Sequence, residues 1–230
     1  MQPIPSNYMA YDRTIVVFSP DGRLLQVEYA RQAVKRGNTV VGLVTGEGVV
    51  LGATKSSAPL GVSATPKKIF EIDNHIGAVS SGLLADARNL IEAARVKSQV
   101  NTLTYGEPIS VSSITKFIAD QKHMVTQYAG VRPYGVGLLI GGFDNVGPAL
   151  FETDPSGTMI EWKAQAIGKG AEKAKKVLKQ AYREGMPLKD GIKLVLKALK
   201  AGEKEATRES IELATITKNK FKLVPAELEK

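Results

Sequence analysis

Residues 18–37 read FSPDGRLLQVEYARQAVKRG and combine a turn, a helical pattern and a terminal glycine. Residues 19–22, Ser-Pro-Asp-Gly, are typical of a tight turn because proline presets one backbone angle and glycine permits the next. The segment 23–36 that follows predicts an amphipathic helix from four apolar residues at helical spacing, namely Leu24, Val27, Ala30 and Val34. Asp21 is the expected N-cap of this helix and Gly37 its expected end.

Beyond this helix, strand-like runs alternate with pairs of helix-like segments. Strands are predicted over residues 39–44, 48–53, 68–72, 75–80, 136–143, 149–153, 158–162, 164–167, 212–217 and 221–224. Helices are predicted over residues 83–94, 114–128, 171–181 and 188–199, the second of them capped by Ser112 or Ser113. Because each helix has one apolar stripe and the strands are apolar on both faces, stacked sheets with helices outside bury every apolar surface. The expected class is α+β.

Composition favours one large soluble domain. Of 230 residues, 43% are hydrophobic and 23% are charged, which is ordinary for a globular protein. Cysteine is absent, which excludes disulfides, thiolate nucleophiles and cysteine-bound metals. The N-terminus lacks the pattern of a signal peptide, and the apolar runs are too short to span a bilayer. We therefore expect a cytoplasmic protein without membrane contacts.

The formal charge is +8, and the excess lysine lies in the last third of the chain. These lysines occur at helical spacing, with acidic residues between them and no interleaved aromatic residues. Such a pattern indicates a solvated helix face, so no nucleic-acid partner is expected. The alternative, a basic nucleic-acid-binding module, would depend on Lys175 and Lys176 and would bind more weakly as salt increases.

The residues of common enzyme and cofactor sites are scarce. The two histidines, His75 and His123, lie in different predicted elements and form no metal-ligand spacing. Gly168-Lys169-Gly170 opens a helix but matches neither common phosphate-binding motif, so a turn is the better interpretation. We expect no metal and no cofactor.

Several motifs point to one family. Tyr11-Asp12-Arg13, residues 18–24 (FSPDGRL) and residues 26–30 (QVEYA) are followed by residues 81–88 (SGLLADAR) and 130–135 (GVRPYG). In this order they resemble the α subunits of 20S proteasomes, especially archaeal ones. The resemblance implies a four-layer αββα sandwich, the N-terminal nucleophile hydrolase-like fold, with an N-terminal extension and helix. It also implies a gate extension over 1–13 and a single proteasome-type domain over 14–230.

The catalytic branch of this family uses an N-terminal threonine whose own amine serves as the base. With Val41-Gly42 as the anchor, the nucleophile position falls on Asn38 and the acid position on Thr54, so only the lysine persists, as Lys68. An amide cannot attack as a hydroxyl does, which favours a non-catalytic subunit. The alternative, a catalytic β-type hydrolase, requires a shift of one residue and cleavage before Thr39.

The resemblance also implies three groups of functional residues. The first is a pocket for the C-terminal carboxylate of an activator, formed by Lys68, Gly82, Leu83 and Arg31. The second is a gate cluster of Tyr11, Asp12, Arg13, Pro20 and Tyr29. The third lines an axial annulus, with Tyr128, Ala129, Gly130 and Val131.

The implied function is assembly and control of access. Such subunits form an outer heptameric ring, here expected to be a homoheptamer, that restricts substrate entry and supports assembly of the β ring. The implied partners are other α subunits, proteasome β subunits, an ATPase regulatory particle and unfolded proteins in transit. Peptide hydrolysis would belong to the β subunits in ATPase-dependent or ubiquitin-like protein degradation.

Overall fold

The structure, a computed structural model, describes residues 16–55, 67–207, 209–218 and 220–226. Tyr11, Asp12 and Arg13 of the expected gate lie outside these residues. The helices are α1 (Leu25–Arg36), α2 (Leu84–Tyr105), α3 (Val111–Val125), α4 (Ala171–Ala181) and α5 (Leu188–Gly202). The strands are β1 (Val40–Val44), β2 (Gly48–Thr54), β3 (Ile69–Asp73), β4 (Ile76–Gly82), β5 (Val136–Asp144), β6 (Gly147–Thr153), β7 (Met159–Glu161), β8 (Ala164–Ile167), β9 (Ile211–Thr217) and β10 (Lys220–Val224).

The strands form two antiparallel five-stranded sheets within the described part of the chain. One sheet has the order β10-β9-β2-β1-β8 and the other the order β3-β4-β5-β6-β7. The central strands β2 and β5 are buried along nearly their whole length, since both faces of each sheet are covered. The prediction that the strands are buried on both faces is therefore confirmed for these central strands, and the sheets that they form are antiparallel.

Among the described residues, three apolar cores separate the layers. Ile76, Leu138 and Ile140 pack with Leu90 and Ile114 of the helix pair α2–α3. A second core joins the other sheet to α4 and α5, and a third lies between the two sheets. Each sheet thus contacts a helix pair on one face and the second sheet on the other. This arrangement is the expected αββα sandwich.

Helix α1 lies against β4 and β5 and differs from its prediction at its start. It begins at Leu25, and its N-cap Leu24 makes no side-chain capping bond. Asp21 is not the cap, because its carboxylate accepts from Ser19 Oγ at 2.5 Å and from Arg23 Nε at 2.7 Å within the preceding turn. Gly37 does end the helix, but close packing explains the glycine: an added Cβ would lie 2.3 Å from the backbone nitrogen of Gly82.

The start of α3 also corrects a prediction. Ser110 is the N-cap, and its Oγ accepts a hydrogen bond from the backbone N–H of Ser113 at 3.2 Å. Ser112 and Ser113 were the expected caps, but they lie inside the first turn. Ser110 directly precedes the buried Val111, so capping begins two residues earlier than the serine run suggests.

Candidate functional site

The first strand begins beside the position that the resemblance assigns to a nucleophile. The side-chain amide of Asn38 donates to the carbonyl oxygen of Thr54 at 3.1 Å, and Ser81 Oγ donates to the carbonyl oxygen of Asn38 at 3.0 Å. Thr39 is 0% exposed, and its Oγ1 accepts from the backbone N–H of Gly170 at 3.0 Å. Both candidate positions are therefore held by bonds within the fold.

A carboxylate from the end of α5, Glu203, fills the centre of this cluster. Its Oε1 accepts from the backbone N–H of Thr39 at 2.7 Å and from Thr54 Oγ1 at 2.6 Å. Its Oε2 lies 2.9 Å from Lys169 Nζ. Burial raises the pKa of Glu203, but the hydrogen bonds from Thr54, Thr39 and Lys169 outweigh burial and lower that pKa overall. Sequence reasoning missed Glu203.

Lys68 lies directly before β3 and is half-buried. Its backbone N–H donates to Glu212 Oε2 at 2.9 Å, and Glu212 Oε1 lies 3.2 Å from Lys55 Nζ. Burial lowers the pKa of Lys68, while the charges of Glu212 and Glu203 oppose that shift. Glu212 thus binds both sides of the segment 56–66, which is outside the described residues.

Gly82 and Leu83 form the junction between β4 and α2. Leu83 is exposed, and its backbone N–H donates to the carbonyl oxygen of Gly135 at 2.9 Å. Gly82 has φ +111°, and an added Cβ would lie 2.2 Å from the same carbonyl oxygen. The N-cap Leu83 makes no side-chain capping bond, so the first turn of α2 presents backbone N–H groups and the positive end of the helix dipole.

Arg31 has a different environment from Lys68. Its Nη2 lies 2.8 Å from Asp154 Oδ2, and its Nη1 lies 2.7 Å from Glu28 Oε1. The Asp154 carboxylate is one of the acceptors in the turn between β6 and β7, where it also accepts from the backbone N–H of Ser156. Arg31 therefore fastens α1 to this turn, and its place in the expected pocket stays a prediction.

The remaining predicted residues lie at the surface. Pro20 is in the turn before α1, and Tyr29 is half-exposed on that helix. The four annulus residues Tyr128–Val131 are exposed after α3, which ends at Val125 and not at Tyr128 as predicted. The structure thus describes two members of the gate cluster and the whole annulus segment.

The loop that contains the annulus residues ends in a paired arginine. Arg132 Nη1 and Nη2 lie 2.6 and 2.7 Å from the two carboxylate oxygens of Asp86. Burial raises the pKa of Asp86, but the bonds from Arg132 and from the Gly135 N–H lower it overall. This ion pair was not anticipated, since the two residues are far apart in sequence.

Lys122 is a fully buried lysine in the last turn of α3. Its Nζ donates to the carbonyl oxygens of Val136 and Thr153, both at 3.0 Å, and to Thr153 Oγ1 at 2.9 Å. Burial lowers the pKa of Lys122 to about 7, although the charges of Asp154 and Glu152 oppose the shift. The ammonium therefore joins α3 to the ends of β5 and β6.

This burial has a measurable consequence. Between pH 7 and 10.5 the unfolded chain binds a proton that folded Lys122 has lost, so the free energy of unfolding should rise with pH. We expect wild type to gain up to about 1.4 kcal/mol per pH unit relative to Lys122→Met in this range. Chemical denaturation at several pH values measures this, with the exposed Lys116→Met as the control. Parallel curves for wild type and Lys122→Met would contradict the assignment.

Metal binding and membrane crossing also bear on the class of site. Among the described residues, no group of three or more histidine or acidic side chains is arranged to hold a metal ion. None of the described helices combines the length and apolar character needed to cross a membrane. The lysines of α4 and α5 mostly lie on the exposed faces of these helices. This position agrees with the prediction of a solvated helix face.

Comparisons with known proteins show the family of the chain. A family model described as "Proteasome subunit" matches residues 34–216, and a model of the N-terminal signature of A-type proteasome subunits matches residues 11–33. The proteasome α subunit of Methanopyrus kandleri is 51% identical over 93% of this chain and 87% of that protein. The protein of the same name from Methanosarcina barkeri is 50% identical over 100% of this chain and 93% of its own length. The chain therefore belongs to the proteasome subunit family, as a member of its α type.

Proposed function

We propose that this chain is a non-catalytic α subunit of the proteasome core particle. The observation that carries the proposal is the environment of Thr39, which is fully buried and whose backbone N–H is bonded to Glu203. A threonine nucleophile of this family needs a free amine and access to substrate. Asn38, at the aligned position, has an amide side chain that is itself bonded within the fold.

In this proposal the chain assembles into an outer homoheptameric ring in the cytoplasm. The ring supports β-ring assembly, and residues 1–13 together with Pro20 and Tyr29 gate the entry of unfolded proteins. The exposed segment 128–131 would line the axial constriction. Lys68, Gly82 and Leu83 would bind the C-terminal carboxylate of an ATPase regulator, since an ammonium and the positive N-terminal end of α2, which follows Leu83, both favour an anion.

Native mass spectrometry of the full chain expressed alone tests this proposal. An unprocessed chain in heptameric rings is the expected result. A mature chain that starts at Thr39 would instead identify a catalytic β-type hydrolase. An intact monomer, with or without added β subunits, would contradict ring formation.

Removal of residues 1–10 should raise hydrolysis of short peptides by particles assembled with a β partner. The physical reason is steric, because a pore without its gate segment admits substrate without waiting for an opening event. Peptide hydrolysis by wild-type and shortened particles at equal particle concentration measures the effect. Equal rates would argue against a gate in this segment.

A further inference from the structure

The loop between α3 and β5, residues 126–135, has an exposed tip and buried stems. We call it the constriction loop. Residues 127–132 are exposed, whereas Thr126, Pro133 and Gly135 are buried. A tip that projects from two fixed stems takes its position from whatever holds the stems.

The first stem is held by Lys122. Val136 is the first residue of β5, and its carbonyl oxygen accepts from Lys122 Nζ at 3.0 Å. Because Lys122 lies in the last turn of α3, this bond closes the base of the loop. Thr126 Oγ1 also donates to the carbonyl oxygen of His123 at 2.7 Å, which fixes the first residue of the loop.

The second stem is held by the first turn of α2. The carboxylate of Asp86 accepts hydrogen bonds from both Nη atoms of Arg132. Its Oδ2 also accepts a hydrogen bond from the backbone N–H of Gly135 at 2.8 Å. The carbonyl oxygen of Gly135 accepts in turn from the N–H of Leu83. Three consecutive contacts therefore join this stem to the start of α2.

We propose that Asp86 is a positioning residue that sets the width of the constriction and couples it to the start of α2. This inference rests on the proposed function, in which residues 128–131 line the pore and Gly82 and Leu83 bind an activator carboxylate. A bidentate pair fixes the guanidinium in both distance and orientation. Because Arg132 directly follows Val131, a fixed Arg132 also restrains the position of the exposed tip of the constriction loop. The Asp86 side chain is only 7% exposed, so loss of Arg132 would leave a largely buried carboxylate without its charged partner, although the Arg132 side chain itself is 61% exposed.

Asp86→Asn and Arg132→Met remove the ion pair from its two sides and test the proposal. Arg88→Met is the matched control, because Arg88 is exposed on the same helix. Particles assembled with a β partner from chains lacking residues 1–10 would be given a short peptide and an unfolded protein carrying a bulky internal crosslink. We expect both pair variants to degrade the crosslinked protein roughly three- to tenfold faster relative to the peptide, with the control unchanged.

Amide hydrogen exchange in the free chain provides a second readout. Exchange over residues 127–135 should accelerate roughly three- to tenfold in both pair variants, because stem opening becomes less costly. If a variant does not enter particles, this measurement decides: unchanged exchange overturns the proposal.

The possible failures can be told apart. If particles that lack residues 1–10 but keep Asp86 and Arg132 degrade the two substrates equally well, residues 128–131 do not form a constriction. The proposed role of Asp86 is then contradicted as well. If these particles discriminate and both pair variants discriminate equally well, only the role of Asp86 is overturned.

Discussion

Lys68→Ala should nearly abolish stimulation of the assembled particle by a peptide with a free C-terminal carboxylate, at the peptide concentration that gives half-maximal stimulation of wild type. The substitution removes a half-buried ammonium group. The backbone of Lys68 is held in place because its N–H donates to Glu212. Loss of a charge-assisted hydrogen bond of about 1.5–3 kcal/mol weakens binding roughly 10- to 100-fold. Hydrolysis of a fluorogenic peptide, titrated with the carboxylate peptide, measures the change.

Lys67→Ala is the matched control, since Lys67 is the exposed neighbour of Lys68 and carries the same charge. It should retain most of the stimulation. A C-terminally amidated peptide should fail to stimulate wild type, which isolates the contribution of the carboxylate. Full stimulation of Lys68→Ala particles, with assembly intact, would remove Lys68 from the pocket.

Gly82→Ala should destabilise the chain more than any other single change considered. The new Cβ would lie 2.2 Å from the carbonyl oxygen of Gly135, at a backbone angle that residues with side chains rarely adopt. The obstacle is backbone, so relief requires moving β5 or the start of α2. We expect a loss of about 3 kcal/mol or more in the free energy of unfolding, measured by chemical denaturation of the isolated chain.

Gly106→Ala separates the two causes. Gly106 also has a positive φ, +73°, but an added Cβ there meets no atom within 4 Å. Its cost should be close to the conformational term alone, about 1 kcal/mol. Similar losses at the two positions would show that the contact with Gly135 is unimportant.

The strands and helices were largely predictable because their apolar periodicity is local. Residues 136–143 are a continuous apolar and glycine run and form β5, and the apolar stripes of α4 and α5 lie as predicted. The helix starts were harder, since Ser110, Ser112 and Ser113 are chemically alike. Which of them caps α3 depends on how Val111 packs.

The charged residues of the site could not be found from spacing. Glu203 meets Thr39 across a separation of 164 residues, which only the completed sandwich creates. Lys122 did carry a signal, because it follows Ile114 and Ile118 at helical spacing on the buried side of α3. A lysine at a position of a helix where apolar residues are expected must either avoid burial or find hydrogen-bond acceptors. Here Lys122 Nζ donates to three oxygen atoms.

The bonds of Glu203 to Thr39 and Thr54, beside the nucleophile position that the resemblance assigns to Asn38, also bear on how such a chain can evolve. A hydroxyl at residue 38 would gain nothing while the chain upstream remains attached and Thr54 carries no charge. Loss of Glu203 alone would leave the Thr39 N–H and Lys169 without their partner. If the chain is non-catalytic, as proposed, each single step toward catalysis would be neutral or harmful by itself, and selection would offer no gradual path to activity.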